Sequence, residues 1–386
     1  MRRQLALMLL VVVSFGTPSY AWNARGHMMV AGVAYKNLTQ RTKERVDSLL
    51  MLNPDRAAWL ALIPANTSEA RRKMMLFMIA ATWPDRIKSN PQYHSDGSHG
   101  GNRPPADGTA ENNTGYVDFA LHKYWHFIDV PFTQDGTALP TVPTPNIETQ
   151  IAAFRTVLAS RTASNELKSY DLSWLLHLVG DIHQPLHCTN RISAAQPDGD
   201  DGGNGVKLSS GSLHGFWDDL LGSGSSPSTA AASITALPAA PVVAGRDLNL
   251  QHWIDESVAA AKSTVYADPI GPGKGPFTVT QAYKSKAKLL AQKRAALAGA
   301  RLARILNTEL AALSFNSVVP VVREPQPPVH IAVPTERHES TRPKAPVVTS
   351  RAPEGATAEC NDGTYSFSAN HRGTCSHHGG VKRWFK

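Results

Sequence analysis

Three cysteines stand among the 386 residues, an odd number that leaves at least one thiol without a partner in the chain. No apolar run reaches the roughly 20 residues that a membrane-spanning helix needs, so a helical integral membrane protein is excluded. No repeat of fixed period appears, and no strand pattern competes with helical periodicity between Trp22 and Leu310. A calcium loop is missing as well. Pro197–Gly205 looks like one, but Ser209 stands where an EF-hand needs a bidentate Glu. From Lys284 to Arg304 there is no acidic residue at all, while Lys284, Lys286, Lys288, Lys293, Arg294, Arg301 and Arg304 are basic. Such a run is either a solvated helix face or a contact surface for phosphates.

What is present divides the chain into four parts. Residues 1–21 read as a signal peptide: Arg2 and Arg3 precede the apolar run Leu5–Val13, and Ser19-Tyr20-Ala21 offers small residues for cleavage. Cutting after Ala21 leaves Trp22 as the N-terminus and a protein that is secreted or periplasmic, without stable membrane insertion. The formal charge of +8 drops by two when Arg2 and Arg3 leave, a modest excess compatible with a polyanionic substrate. Residues 22–315 form an all-α domain, with helices expected at 24–37, 40–52, 55–62, 68–81, 147–162, 165–183, 213–221, 247–264 and 280–311. Residues 316–357 are a Pro-rich linker, and 358–386 a module too small for a proper core. A Cys360–Cys375 disulfide is expected to staple that module, leaving Cys188 as a buried thiol or, alternatively, a zinc ligand.

The richest stretch is Trp174-Leu-Leu-His177-Leu-Val-Gly-Asp181-Ile-His183-Gln-Pro185-Leu-His187. His177 and Asp181 stand four residues apart, so a helix puts them on one face. Pro185 stops the helix, and His187 falls where the chain can turn back to that face. The pattern repeats at His214 and Asp218. With His27, Asp85, His126 and the free amine of Trp22, these make nine nitrogen and oxygen donors, enough for several zinc ions with open positions. Taken singly, each is as well explained by a buried ion pair.

Order and spacing together resemble the S1/P1 nucleases, zinc enzymes that share a fold with bacterial zinc phospholipase C. The resemblance spans Trp22 to about Leu310 and rests on Trp22-x4-His27, Trp83-Pro-Asp85, His126-Phe-Ile-Asp-Val-Pro, His177-x3-Asp181-x-His-Gln-Pro-Leu-His187, Gly199-Asp-Asp-Gly-Gly-Asn204 and His214-x3-Asp218. It implies three zinc ions. Asp85, His126 and His177 would hold one, and Asp181 would bridge to a second that also takes the amine and carbonyl of Trp22 together with His27. His187, His214 and Asp218 would hold the third. It further implies a monomer that cleaves single-stranded DNA and RNA to 5′-phosphates, with 3′-nucleotidase activity as a second use of the same site. Asp85 and Asp181 are the catalytic carboxylates in this scheme. Lys88 contacts phosphate, Phe127 stacks a base, and His183 stands behind the ligands. Two cations sharing a water would lower its pKa toward ~7 and arm it as the nucleophile.

The chain also departs from the fungal members, with Leu220 where they carry an Asn and without their disulfides. A zinc phospholipase C is the nearest alternative, but that relative ends its ligand set in Glu, where Asp218 stands here. A non-catalytic exported zinc- or surface-binding protein is the other. The C-terminal module resembles a small bacterial family of unknown function through Cys360 and Cys375-Ser-His377-His378-Gly-Gly-Val.

Overall fold

Capping residues and helical periodicity set the order of elements in the computed structural model, which describes residues 22–311, 356–360, 365–366 and 381–385. The leader and Cys375 lie outside the described residues, and with them the expected Cys360–Cys375 pairing. Asn23 accepts hydrogen bonds from the N–H groups of Arg25 and Gly26 and opens α1 (Ala24–Lys36). Thr39 caps α2 (Gln40–Leu50) in the same way. After α3 (Arg56–Ala61) and α4 (Glu69–Ala80), Pro84 sits in the first turn of the short α5 (Trp83–Arg86). Asn146 and Thr149 form a reciprocal capping box at the start of α6 (Ile147–Ala159). Ser164 caps α7 (Asn165–Asp181), and Ser212 caps α8 (Leu213–Asp218). The domain closes with α9 (Pro227–Ser233), α10 (Val242–Arg246), α11 (Leu250–Ala260) and α12 (Gln281–Glu309).

Every residue of α7 from Lys168 to Asp181 is buried, which makes it the central helix, wrapped by α1, α2, α6 and α12. The core around it is aromatic. Trp83 meets Tyr116, Tyr170 and Trp174 edge-on, at centroid distances between 5.7 and 6.1 Å. Such pairs stabilise by ~0.5–1.5 kcal/mol each beyond their buried area. A second apolar cluster (Phe132, Trp217, Tyr266 and Tyr283 among others) lies under α8 and the first turns of α12. Helices α1 and α12 approach closely at Gly299, where a Cβ would come 2.5 Å from Cβ of Val33.

Three features differ from the sequence reading. A short parallel strand pair joins β1 (Pro131–Thr133) to β2 (Asn190–Ile192), too brief to leave an alternating pattern. Helices α9 and α10 stand in a Pro- and Ala-rich stretch whose periodicity is too short to be read. In α12 the basic run is split: Arg294 and Arg301 are buried, while Lys284, Lys286, Lys288 and Arg304 are exposed. Both arginines bond Glu256 of α11, through three contacts of 2.7 Å, and Arg301 Nη1 lies 2.9 Å from Nε2 of His183. The second unit begins at Pro320 and contains β3 (Ala358–Cys360), β4 (Tyr365–Ser366) and β5 (Val381–Trp384), antiparallel in the order β4-β3-β5. There Glu359 pairs with Lys382 and Arg383.

One buried carboxyl on α7 generates a test. Asn113 Nδ2 donates to Oδ1 of Asp171 at 2.7 Å, while Oδ2 of Asp171 and Oδ1 of Asn113 have no other partner. Burial pushes the Asp171 carboxyl up to about 8 against the small opposing effect of the Asn113 bond. Burial therefore favours the protonated carboxyl at this position. Because the folded value is raised, this contribution is complete below the unfolded value of ~3.9 and is lost as pH rises toward the folded one. We expect Asp171→Asn to flatten that slope, so its Tm relative to wild type should rise between pH 5 and pH 8. Parallel Tm–pH curves would contradict a neutral Asp171.

Candidate metal centre

The last turn of α7 and the first turn of α1 bring the donors together. Gly180 of α7 makes room: a Cβ there would lie 2.9 Å from Nδ1 of His27. His27 therefore stacks on His177, with ring centroids 3.7 Å apart and planes 14° from parallel. Asp181 divides its carboxylate. Oδ2 lies 3.0 Å from Nδ1 of His126 and 3.2 Å from Nε2 of His177, and Oδ1 lies 3.2 Å from Nε2 of His27. Asp85, carried by the Trp-Pro-Asp turn of α5, approaches His177 Nε2 at 3.7 Å and receives Lys88 Nζ at 2.7 Å.

Three buried sets of donors result, each with its ligand atoms within 4.8 Å of one another: His27, Asp85 and His177; His126, His177 and Asp181; His187, His214 and Asp218. The first two share His177, so they form one continuous site. The first set joins Asp85 to His27 and His177, and the second joins His126 to His177 and Asp181. Trp22 is fully buried, its indole donating to the carbonyl of Gly180 at 3.1 Å. The next residue, Asn23, bonds the carbonyl of Asp218 at 3.3 Å, which puts Trp22 and Asn23 between the ends of α7 and α8.

The ring tautomers test whether a cation belongs here. His177, His187 and His214 each donate Nδ1–H to a backbone carbonyl, of Ala81, His126 and Gly202, at 2.7–2.8 Å. Each neutral ring then carries its lone pair on Nε2. The Nε2 atoms of His187 and His214 face each other at 3.2 Å, so two lone pairs confront with no proton between them. His27 Nε2 and Asp181 Oδ1 approach without hydrogen-bond alignment, and both are left without a partner, as is Nε2 of His126. Orphaned buried acceptors of this kind are costly. Imidazole and carboxylate donors aimed at common points fit zinc, which satisfies all of them at once.

The electrostatics divide: against burial, Asp181 and Asp85 raise His177, while His126, His214 and Asp85 are shifted toward the forms that bind a cation. Burial, then Lys88, pushes His126 down to about 3; burial, then His187, does the same to His214. Both rings therefore stay neutral through the physiological range. Burial alone would raise Asp85, but Lys88, His177, His126 and His27 outweigh it and hold the carboxyl at about 2. Burial pushes Asp218 well up, against the bond that Gln184 Nε2 donates to its Oδ1 at 2.8 Å.

An open cleft of about 870 Å³ lies over the centre, lined by Lys88, His126, Phe127, His187, His214 and Lys207 among others. Phe127 and Lys88, singled out in the sequence, thus both face it. Gln184, Asp129 and the carbonyls of Ala81 and Gly202 were not singled out. Asp129 lines the cleft beside Phe127, its carboxyl raised to about 7 by burial and by Asp201. The Gly199–Asn204 loop could have signalled Gly202, whose φ of +57° and close approach to the Leu186 carbonyl admit no side chain. Two positions lie apart from the donors. His183 bonds the Val179 carbonyl and Arg301, and Cys188 is a free buried thiol whose pKa burial pushes up to about 12.

The family described as S1/P1 Nuclease matches residues 22–311, and the family described as a domain of unknown function (DUF3761) matches residues 353–385. No curated protein matches the chain.

The close approach at Gly180 gives a test of the centre. Gly180→Ala should push His27 aside and weaken zinc retention by about 10–100-fold, the range for disturbed ligand support. Helical circular dichroism should be unchanged. Unaltered zinc content after dialysis against a competing chelator would show that His27 is not a ligand.

Proposed function

Because the chain belongs to the S1/P1 nuclease family over residues 22–311, we propose that it is a zinc-dependent nuclease acting on single-stranded DNA and RNA and leaving 5′-phosphates. The observation that carries this reading is the pair of lone pairs facing each other at His187 and His214, which with His126 line an open cleft, alongside two further buried donor sets. Bound zinc would supply Lewis acidity and a water whose pKa falls toward ~7.

The protein's own groups supply the rest. Asp181 presents one oxygen to His27 and the other to His126 and His177, so a single carboxylate can serve two metal positions. Gln184 holds the Asp218 carboxylate, and three backbone carbonyls hold the imidazoles with Nε2 inward. Lys88 carries its ammonium at the cleft wall against Asp85, within reach of a phosphate oxygen. Phe127 offers a ring for an unpaired base, which explains a preference for single strands: a base held in a duplex cannot stack on it. The leader expected at residues 1–21 would export the protein and free the Trp22 amine, and the mature protein would act as a monomer. Residues 353–385 belong to a family without a known activity and add nothing to this proposal.

The decisive experiment loads the processed protein with zinc and follows cleavage of single-stranded DNA and RNA, with phosphatidylcholine as the alternative substrate. We expect strand cleavage that a chelator abolishes and zinc restores. Lipid turnover without strand cleavage would overturn the reading. Asp181→Asn should reduce cleavage to background and lower metal content. Phe127→Ala should raise KM with little change in kcat, by an amount corresponding to ~1–3 kcal/mol of lost stacking. An unchanged KM would assign Phe127 to packing alone.

A further inference from the structure

The proposed function uses the cleft and leaves the basic start of α12 unexplained. Between Ala261 and Lys293 the sequence holds Lys262, Lys274, Lys284, Lys286, Lys288 and Lys293 against the single acid Asp268. All six lysines are exposed. Elsewhere on the same helix the protein neutralises its charge: Arg294 and Arg301 turn inward onto Glu256. The lysines have no such carboxylate. Among the described residues no ion pair reaches Lys284, Lys286, Lys288 or Lys293, and Lys286 makes only a long 3.5 Å contact with the carbonyl of Ser263. Uncompensated like charge along the exposed side of one helix costs self-repulsion, which a polyanion would relieve.

The chain path connects this face to the cleft. Lys207 and Pro276 both line the cleft. Lys207 N–H donates to the Lys274 carbonyl at 2.8 Å, and its own carbonyl accepts from Phe277 at 3.0 Å. Ser209 bonds the Phe277 carbonyl at 2.9 Å, and Thr280, three residues on, caps α12. The wall of the cleft therefore runs directly into the lysine-bearing turns. On the helix Lys284 and Lys288 share one flank, and Lys286 and Lys293 the other, with Ser285 and Leu289 between them.

We propose that this face is a track for the phosphate backbone of a single strand whose scissile bond lies in the cleft, a proposal that rests on the nuclease reading above. The face offers charge and no exposed aromatic ring among the described residues. It should therefore favour long strands over short ones whatever their bases, in the manner of a sequence-independent electrostatic contact.

The test compares the zinc-loaded full chain with Lys284→Glu/Lys286→Glu/Lys288→Glu. Substrates are an oligodeoxynucleotide of about 30 residues, longer than the ~4–16 nucleotides that one binding face spans, and a dinucleotide. KM is measured between roughly 50 and 200 mM salt. For the long strand we expect KM to rise about tenfold or more at low salt. The slope of log KM against log salt should fall by about 2, since each phosphate contact on a single strand contributes ~0.7. Turnover of the long strand at saturation and kcat/KM for the dinucleotide should not change. Lys36→Glu/Arg71→Glu/Lys73→Glu, which alters net charge equally on exposed positions elsewhere, should behave as wild type.

An unchanged KM for the long strand, an equal effect in the control, or an equal loss on the dinucleotide would each overturn the track while leaving the nuclease reading standing. So would loss of binding to phosphatidylserine vesicles with KM intact, which would reassign the face to a lipid surface. If the wild-type protein cleaves neither substrate, the nuclease reading itself fails and the track with it.

Discussion

Three backbone carbonyls govern this protein's chemistry. By accepting Nδ1–H from His177, His187 and His214, the carbonyls of Ala81, His126 and Gly202 decide which nitrogen of each ring is left with a lone pair. Side-chain ligands alone could rotate or switch tautomer to relieve their mutual repulsion. Anchored rings cannot. The result is a buried wall of electron-rich atoms, an arrangement that suits a cation.

The surrounding architecture makes that arrangement rigid. The central helix α7 is buried from Lys168 to its end, its Trp174 locked among Trp83, Trp125 and Tyr170, so the turn carrying His177 and Asp181 has little freedom to shift. Behind the ligands, His183 closes the turn onto Val179 and passes the contact to Arg301, which Glu256 holds. A motif residue whose two ring nitrogens are both engaged thereby links the end of α7 to α11 and α12. Two buried guanidiniums on one partly exposed carboxylate are costly to desolvate, and their place directly behind the centre is consistent with positioning rather than net stability.

Much of this is legible in the sequence, and what is not has identifiable causes. The two His-x-x-x-Asp pairs are visible because helical spacing converts directly into a shared face, and the long-range meeting of His27, Asp85 and His126 with them follows from the family resemblance. The backbone acceptors are invisible, because a carbonyl has no side-chain signature. Gln184 hides inside its motif, since nothing in its spacing says that it reaches Asp218. Arg294 and Arg301 are misread as surface charge because composition counts their sign and not their phase; seven residues apart, they share the buried face that also carries Ala287, Ala291 and Ala298. The strand pair β1–β2 escapes because three residues a side are too few for a period.

The bonds at the start of the domain carry a further implication for how the centre comes into being. Asn23 Nδ2 reaches Asp219 and the carbonyl of Gly222 across sequence separations of 196 and 199 residues. A nascent polypeptide still short of His214 can make neither latch, and it holds neither the His214 nor the Asp218 donor. Assembly of the full ligand set is therefore a late, high-contact-order event, completed only after most of the chain has left the ribosome.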